Sequence, residues 1–216
     1  MVGHVGTEEL AAAAFANSVF IVGMVLGMGF SFGLTPLVGE SYSRNDLLKS
    51  SSLLHNSVNT NMIMAVILSL VMWGISYLFP YMNQPEIVVE LAIPYYRLLV
   101  LSLIPFMLFF SFKQFAEGIG NTVQAMILTI GSNVINIGLN ALLIYGLWGF
   151  PRLELEGAGW ATLISRILMA LAFVWLFSKH KRFKEYYQKA IILRPDKQII
   201  KKLMKIGLPI SFQMVL

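Results

Sequence analysis

The chain has 216 residues, 57% of them hydrophobic and only 12% charged, whereas an ordinary soluble domain is about 45–50% apolar and about 25% charged. That balance, with a mean hydropathy of +0.71, is that of an integral membrane protein. The absence of cysteine excludes a disulfide framework, a thiolate nucleophile and a cysteine metal site. The net charge of +5 does not indicate nucleic acid, because ten of the sixteen basic residues fall between Lys179 and Lys205 beside apolar segments, as topology signals facing lipid headgroups do.

A membrane-crossing helix needs about 20 mostly apolar residues. The opening MVGHVGTEEL reads as the outer end of a helix, with a polar exit at Thr7 to Glu9, and lacks the basic head and cleavage site of a signal peptide. The first predicted span is Leu10 to Val38. Within it Gly23/Gly27 and Gly29/Gly33 have the small-xxx-small spacing that lets two backbones approach in lipid. Arg44 and Lys49 follow, then spans at Val58 to Phe79 and Val88 to Phe112, separated by a connection with Glu86 and Glu90. Pro36, Pro94 and Pro105 each remove a helical donor and predict bends. Lys113 closes the third span; Val123 to Leu147 forms the fourth; Arg152, Glu154 and Glu156 lead into the fifth, Gly157 to Phe177. The positive-inside rule places Arg44, Lys49, Lys113 and the cluster from Lys179 on the cytoplasmic side, and the acidic connections outside. The basic stretch reads as a surface-lying amphipathic connector. A last apolar run from Leu203 to Leu216 is too short to cross, and both ends of the chain read as lying inside helices.

The fourth span carries SNVINIGLN, with Asn133, Asn136 and Asn140 in an apolar helix. An amide in hydrocarbon costs roughly 2–7 kcal/mol unless it is hydrogen-bonded. Something must meet those groups.

The stretches MVGHVGTEELAAAAFANSVF, GLTPLVGESYSRND, KQFAEGIGNTVQAM and NVINIGLNALLIYGLWGFPRLELEGAGWATLISR, in that order, resemble the first lobe of multidrug and toxic compound extrusion (MATE) transporters. The likeness runs from Met1 to about Arg166 and resumes in MKIGLPISFQMVL, which resembles the start of the family's seventh helix. The resemblance implies an all-α polytopic helix bundle, about one six-helix lobe of a twelve-helix fold. On that frame residues 1–178 form the N-terminal transmembrane lobe, from the end of helix one to helix six. Residues 179–202 form the basic cytoplasmic connector, and residues 203–216 begin helix seven.

The resemblance also implies a function: export of bulky, often cationic or amphipathic compounds in exchange for inward sodium or protons, across a bacterial cytoplasmic membrane. The family's first lobe holds a cation site made by a carboxylate on helix one, asparagines on helix five and a threonine on helix six. Here Asn136 and Asn140, then Ala158 and Thr162, match the last two elements, while the helix-one aspartate would fall just before Met1. Each matched pair is four residues apart and so shares one helix face. Amide and hydroxyl oxygens suit a hard cation once a carboxylate neutralises it. The residues alone leave a second reading open, in which Asn133, Asn136, Asn140 and Thr162 are interhelical hydrogen-bond glue.

Ionisable residues inside spans are functional candidates. Arg166 lies one turn beyond Thr162, where it could repel or order the cation, pair with Glu117 or another acid, or snorkel. Arg97, near Tyr95 and Tyr96, reads as a snorkelling side chain at the outer surface. Glu40 and Glu117, at cytoplasmic helix ends, are candidates for an inner gate or for simple helix-end charges. His4, His55 and His180 have no metal-ligand spacing, no phosphate loop is present, and no paired acids or histidines mark an enzyme. The reading is therefore of no catalytic residue, no metal and no cofactor beyond a transported sodium ion or proton; the partners are lipid, small organic substrates and a second lobe, with no nucleic acid. The alternatives are a flippase of lipid-linked saccharides, which would need a basic cavity, and a nonfunctional fragment.

Overall fold

The computed structural model describes residues 6–146 and 152–216. The outer end of helix one expected at Met1 to Val5, and the stretch Gly149-Phe150-Pro151 between the fourth and fifth spans, lie outside the described residues. The first apolar run forms α1 (Thr7–Phe32) and, after Gly33, α2 (Leu34–Ser43). Gly33 itself keeps helical angles, and Pro36 is the third residue of α2, where a missing N–H removes no needed bond. The expected bend is thus a one-residue interruption. Asn45 then takes the left-handed conformation, φ 55°, that asparagine tolerates.

The second span is longer than its apolar core. Helix α3 (Leu47–Ile75) starts at the polar run LLKSSSLLHNS, capped by Asp46, whose carboxylate accepts from the Lys49 N–H at 2.9 Å. Ser50, Ser51, Asn56 and Ser57 are buried in the bundle rather than looped out. Their polar groups turn back onto the chain: Ser51 Oγ donates to Leu47 O at 2.8 Å and Asn56 Nδ2 to Ser52 O at 2.8 Å. A 3-10 turn over Ser76–Tyr81 ends this element.

Helix α4 (Glu86–Gly118) runs unbroken through Pro94 and Pro105 and supplies the axis of the bundle. Its aromatic face interlocks Phe106, Phe109 and Phe110 with Phe173 of the sixth helix, ring to ring at 4.7–5.1 Å. Such pairs contribute about 0.5–1.5 kcal/mol each beyond the area they bury. Helix α5 (Thr122–Tyr145) stops where Gly146 adopts φ 67°, the left-handed glycine stop of a helix end. Helix α6 (Glu154–Lys179) follows. Among the described residues, α1 with α2, α3 with its 3-10 turn, α4, α5 and α6 are the five elements long and apolar enough to cross a membrane.

Helix α7 (Lys181–Ile192) lays Phe183, Tyr186 and Tyr187 across the C-terminal ends of α4 and α6. Phe183 stacks on Phe177 at 4.4 Å, and Tyr186 meets Phe115 edge-on at 5.4 Å. Helix α8 (Lys197–Val215) is capped by Asp196 and returns along α1. The two glycine pairs of α1 divide their work. A Cβ on Gly29 would sit 2.6 Å from Ser211 Cα, and one on Gly33 2.9 Å from the Gly207 nitrogen, so here two backbones touch. Gly23 and Gly27 are instead covered by the Met72 and Met107 side chains. Close backbone approach was expected of both pairs and occurs at one.

Candidate functional site

Helices α5 and α6 meet at a seam with almost no side-chain spacing at its outer end. A Cβ on Gly157 would fall 2.5 Å from the Leu143 carbonyl oxygen, and Leu153 N–H donates to that same oxygen at 3.0 Å. Deeper in, the seam is polar. Asn136 Nδ2 donates to Ala161 O at 3.3 Å and to Ser165 Oγ at 3.0 Å, and Ser132 Oγ donates to Ser165 O at 3.3 Å. Asn140 reaches back one turn, its Nδ2 donating to the Asn136 side-chain oxygen at 3.0 Å and backbone oxygen at 2.9 Å. Thr162 Oγ1 donates to Ala158 O at 2.9 Å.

The four matched residues therefore sit together at one seam. Asn136 and Thr162 line a cavity of about 650 Å³; Ala158 is buried behind Thr162, and Asn140 joins through Asn136. Asn133 also lines the cavity, its side chain exposed. The opposite face of α5, with Ile127, Ile130, Val134 and Ile137, is exposed and apolar. Across the cavity an aromatic and methionine wall, with Phe20, Met24, Met28, Phe106 and Phe109, faces the polar seam.

Arg166 projects into this cavity. It is twelve residues from Glu154 and thirteen from Lys179, about 18–20 Å from either end of α6 at about 1.5 Å per residue. A charge at mid-membrane costs about 2.5–3.5 kcal/mol on insertion scales. The guanidinium recovers part of that from Ser102, whose Oγ accepts from Nη1 at 2.7 Å, and from the faces of Phe106 and Phe20, with its carbon 4.6 and 5.3 Å from the ring centres. A desolvated cation–π contact contributes up to about 2 kcal/mol. Among the described residues no carboxylate lies within ion-pair distance of Arg166, and Glu117, the acid named as its partner, pairs instead with Lys113 at 2.6 Å on its own helix. The geometric reason is local: residues four apart on α4 meet without any help from α6.

The other candidates sit apart from the cavity centre. Glu40 pairs with Arg44 at 3.1 Å, both exposed at the basic end of α2. Arg97 stacks on Trp73 and Tyr77 at the outer end of α3, 5.2 and 5.5 Å from their ring centres. Sequence reasoning missed Ser102, Ser165 and the Asn17–Tyr95 pair, joined at 3.2 Å, all of which frame the cavity or hold its arginine. A serine in an apolar helix looks like any small packing residue. Only its opposite number on another helix shows the difference.

Among the described residues five helices are long and apolar enough to cross a membrane, and four of them, α1, α4, α5 and α6, line a cavity that holds a half-buried arginine; together they define a polytopic membrane protein. The MatE family model matches residues 1–142, and the chain belongs to the MATE family. It is 27% identical over 214 residues to the multidrug resistance protein NorM of Photobacterium profundum, matching 99% of this chain and 47% of that protein. It is 30% identical to the probable multidrug resistance protein YoeA of Bacillus subtilis, matching 98% of this chain and 46% of that protein. Among solved structures, a MATE crystal structure in the bent conformation superposes with a TM-score of 0.87 at 25% identity, over 99% of this chain and 47% of that one. The chain thus spans about half the length of the relatives it matches, as one lobe of such a transporter does.

Proposed function

We propose that this chain forms the first lobe of a cation-coupled antiporter that exports drugs and other organic compounds across the cytoplasmic membrane, driven by sodium or protons. No covalent chemistry is involved. The observation that carries the reading is the convergence of Asn136 and Thr162 on the edge of the cavity, where amide and hydroxyl oxygens border a space of about 650 Å³. Volumes of roughly 300–1,000 Å³ are those of small-molecule sites. Neutral oxygens alone hold a hard cation weakly. A monovalent ion one helical turn from a guanidinium would also be repelled by about 3 kcal/mol at an effective dielectric of about 20. The site therefore needs an acid, which the resemblance assigns to helix one. Cation and drug would then favour different states of the lobe pair, and differential affinity would couple their movements.

A flippase of lipid-linked saccharides draws support from Arg166 and Lys113, which both line the cavity. Lys113 is committed to Glu117, which leaves, among the described residues of the lining, a single free cation for a diphosphate. The exporter reading stands ahead. Its test uses the protein as its gene encodes it, reconstituted in liposomes with norfloxacin under an imposed sodium or proton gradient. Asn136→Leu, Asn140→Leu and Thr162→Val should each lower gradient-driven efflux by at least about tenfold, through loss of an oxygen ligand. Norfloxacin binding should stay within about twofold, and the outward-facing control Leu171→Ala should be silent. Full gradient-driven efflux by Asn140→Leu at unchanged cation dependence would reject the ligand assignment and leave the asparagines as struts.

A further inference from the structure

We propose that Arg166 anchors an anion site in the lobe cavity, and that the cavity takes a small aromatic or otherwise apolar compound bearing a carboxylate. The inference rests on the exporter reading and names a substrate class for the same cavity. The first observation is the uncompensated charge. Among the described residues the ion pairs use Glu40, Glu117, Glu154 and Glu185, and none includes Arg166. The residues outside the description, 1–5 and 147–151, contain no aspartate or glutamate. No acid among the described residues serves the guanidinium.

The second observation is how the group is held. Phe106 and Phe20 cover it, Ser102 takes one Nη1 hydrogen at 2.7 Å, and the Met24 sulfur rests 3.6 Å from Nη2. A guanidinium carries five N–H donors in a planar fork. With Ser102 and the Met24 sulfur each taking one hydrogen, three of the five N–H donors remain, and a carboxylate can accept two of them in parallel. The third observation is the company it keeps. The cavity lining contains no carboxylate among the described residues, its other basic residue is the paired Lys113, and Asn17 and Tyr95 bring polar atoms toward the outer side. An organic cation would meet repulsion from the guanidinium at the centre of this space. An organic anion would meet a fork for its head and the methionine and aromatic wall for its body. A single free cation matches a monoanionic carboxylate better than a phosphate dianion.

The experiment compares two probes of one shape, 1-naphthoate and 1-naphthylmethylammonium, by calorimetric titration of the purified protein, as its gene encodes it, in detergent. Naphthoate should bind at least about tenfold tighter than the ammonium probe, as a bidentate charge-assisted pair predicts. Arg166→Gln should remove at least about tenfold of naphthoate affinity while ammonium binding holds or tightens, which also reports that the variant is folded. Arg166→Lys, which keeps the charge and loses the fork, should weaken naphthoate by about three- to fivefold, and Ser102→Ala, which frees the guanidinium to swing, by about threefold. The outward-facing Ile167→Ala should stay within about twofold.

Equal affinity for the two probes, or naphthoate binding indifferent to Arg166, would overturn the anion site. So would displacement of naphthoate by dioleoylphosphatidylglycerol with the same Arg166 dependence, which would assign the fork to a lipid phosphate. If only the ammonium probe binds, the exporter cavity stands and the anion inference falls. If neither binds, both fall.

Discussion

Two asparagines in this bundle occupy apolar helices and live in different worlds. Asn61 on α3 is 1% exposed. Its Nδ2 donates to Ser111 Oγ of α4 at 2.6 Å and to Ser57 Oγ at 3.4 Å, and its oxygen accepts from Ser31 Oγ of α1 at 3.3 Å. Three helices close over it. Asn136 on α5 makes as many hydrogen bonds, but it is half-buried and faces a cavity. The first is sealed on every side and acts as a strut. The second has protein on one side and open space on the other, the arrangement a ligand needs. An amide in a membrane helix thus carries no function by itself; the function depends on what lies across from it.

The comparison predicts where stability resides on each side. The α5–α6 seam depends on Gly157 rather than on its amides, because the Leu143 carbonyl already occupies the place of any side chain. Gly157→Val should therefore cost about 3 kcal/mol or prevent assembly, since overpacking against backbone has nowhere to relax. Reversible unfolding in mixed micelles would measure it. A loss below about 1 kcal/mol would mean that α5 rides loosely on α6 and that the polar contacts hold the seam after all.

Asn61→Leu comes next, at about 2 kcal/mol, with gradient-driven efflux unaffected once the protein is folded. The estimate stays moderate because Ser111 and Ser31 each keep a carbonyl of their own helix, Met107 O at 3.1 Å and Gly27 O at 3.0 Å, so neither hydroxyl is orphaned. A shift in the cation dependence of efflux in this variant would erase the line drawn between strut and ligand.

How far this was legible in the sequence follows from the same physics. The five spans were readable because lipid demands apolar length, and their order along α1 to α6 holds. The start of α3 was not, because Ser50, Ser51, Asn56 and Ser57 look like a loop until α2, α4 and α7 are seen to bury them. Asn136, Asn140, Ala158 and Thr162 were placed on shared faces by their four-residue spacing; each pair is linked along its own helix, and Asn136 and Thr162 both border the cavity. Asn61 drew no attention, although by residue type and setting it equals Asn136. The depth of Arg166 could be counted along α6. Its partners could not, because Ser102, Phe20 and Phe106 lie far from it in sequence, on α4 and α1, and only tertiary packing relates them.

The smallest predicted effect decides most about the Asn136 side. Asn136 and Ser165 meet across the seam at 3.0 Å, so a double-mutant cycle with Asn136→Ala and Ser165→Ala isolates that one contact. Each partner has another outlet. Asn136 Nδ2 still reaches Ala161 O at 3.3 Å, and Ser165 Oγ donates to Thr162 O at 3.0 Å, so each single change leaves little unsatisfied. The coupling should be about 0.6 kcal/mol, the average for hydrogen bonds between membrane helices. Under the proposed cation role a weak bond would suit Asn136, because the seam would lose little when an ion took the place of the serine. A coupling above about 1.7 kcal/mol, the top of the range seen for such bonds, would make Asn136 a strut of the Asn61 kind, and its place on the cavity wall would then be incidental to coupling.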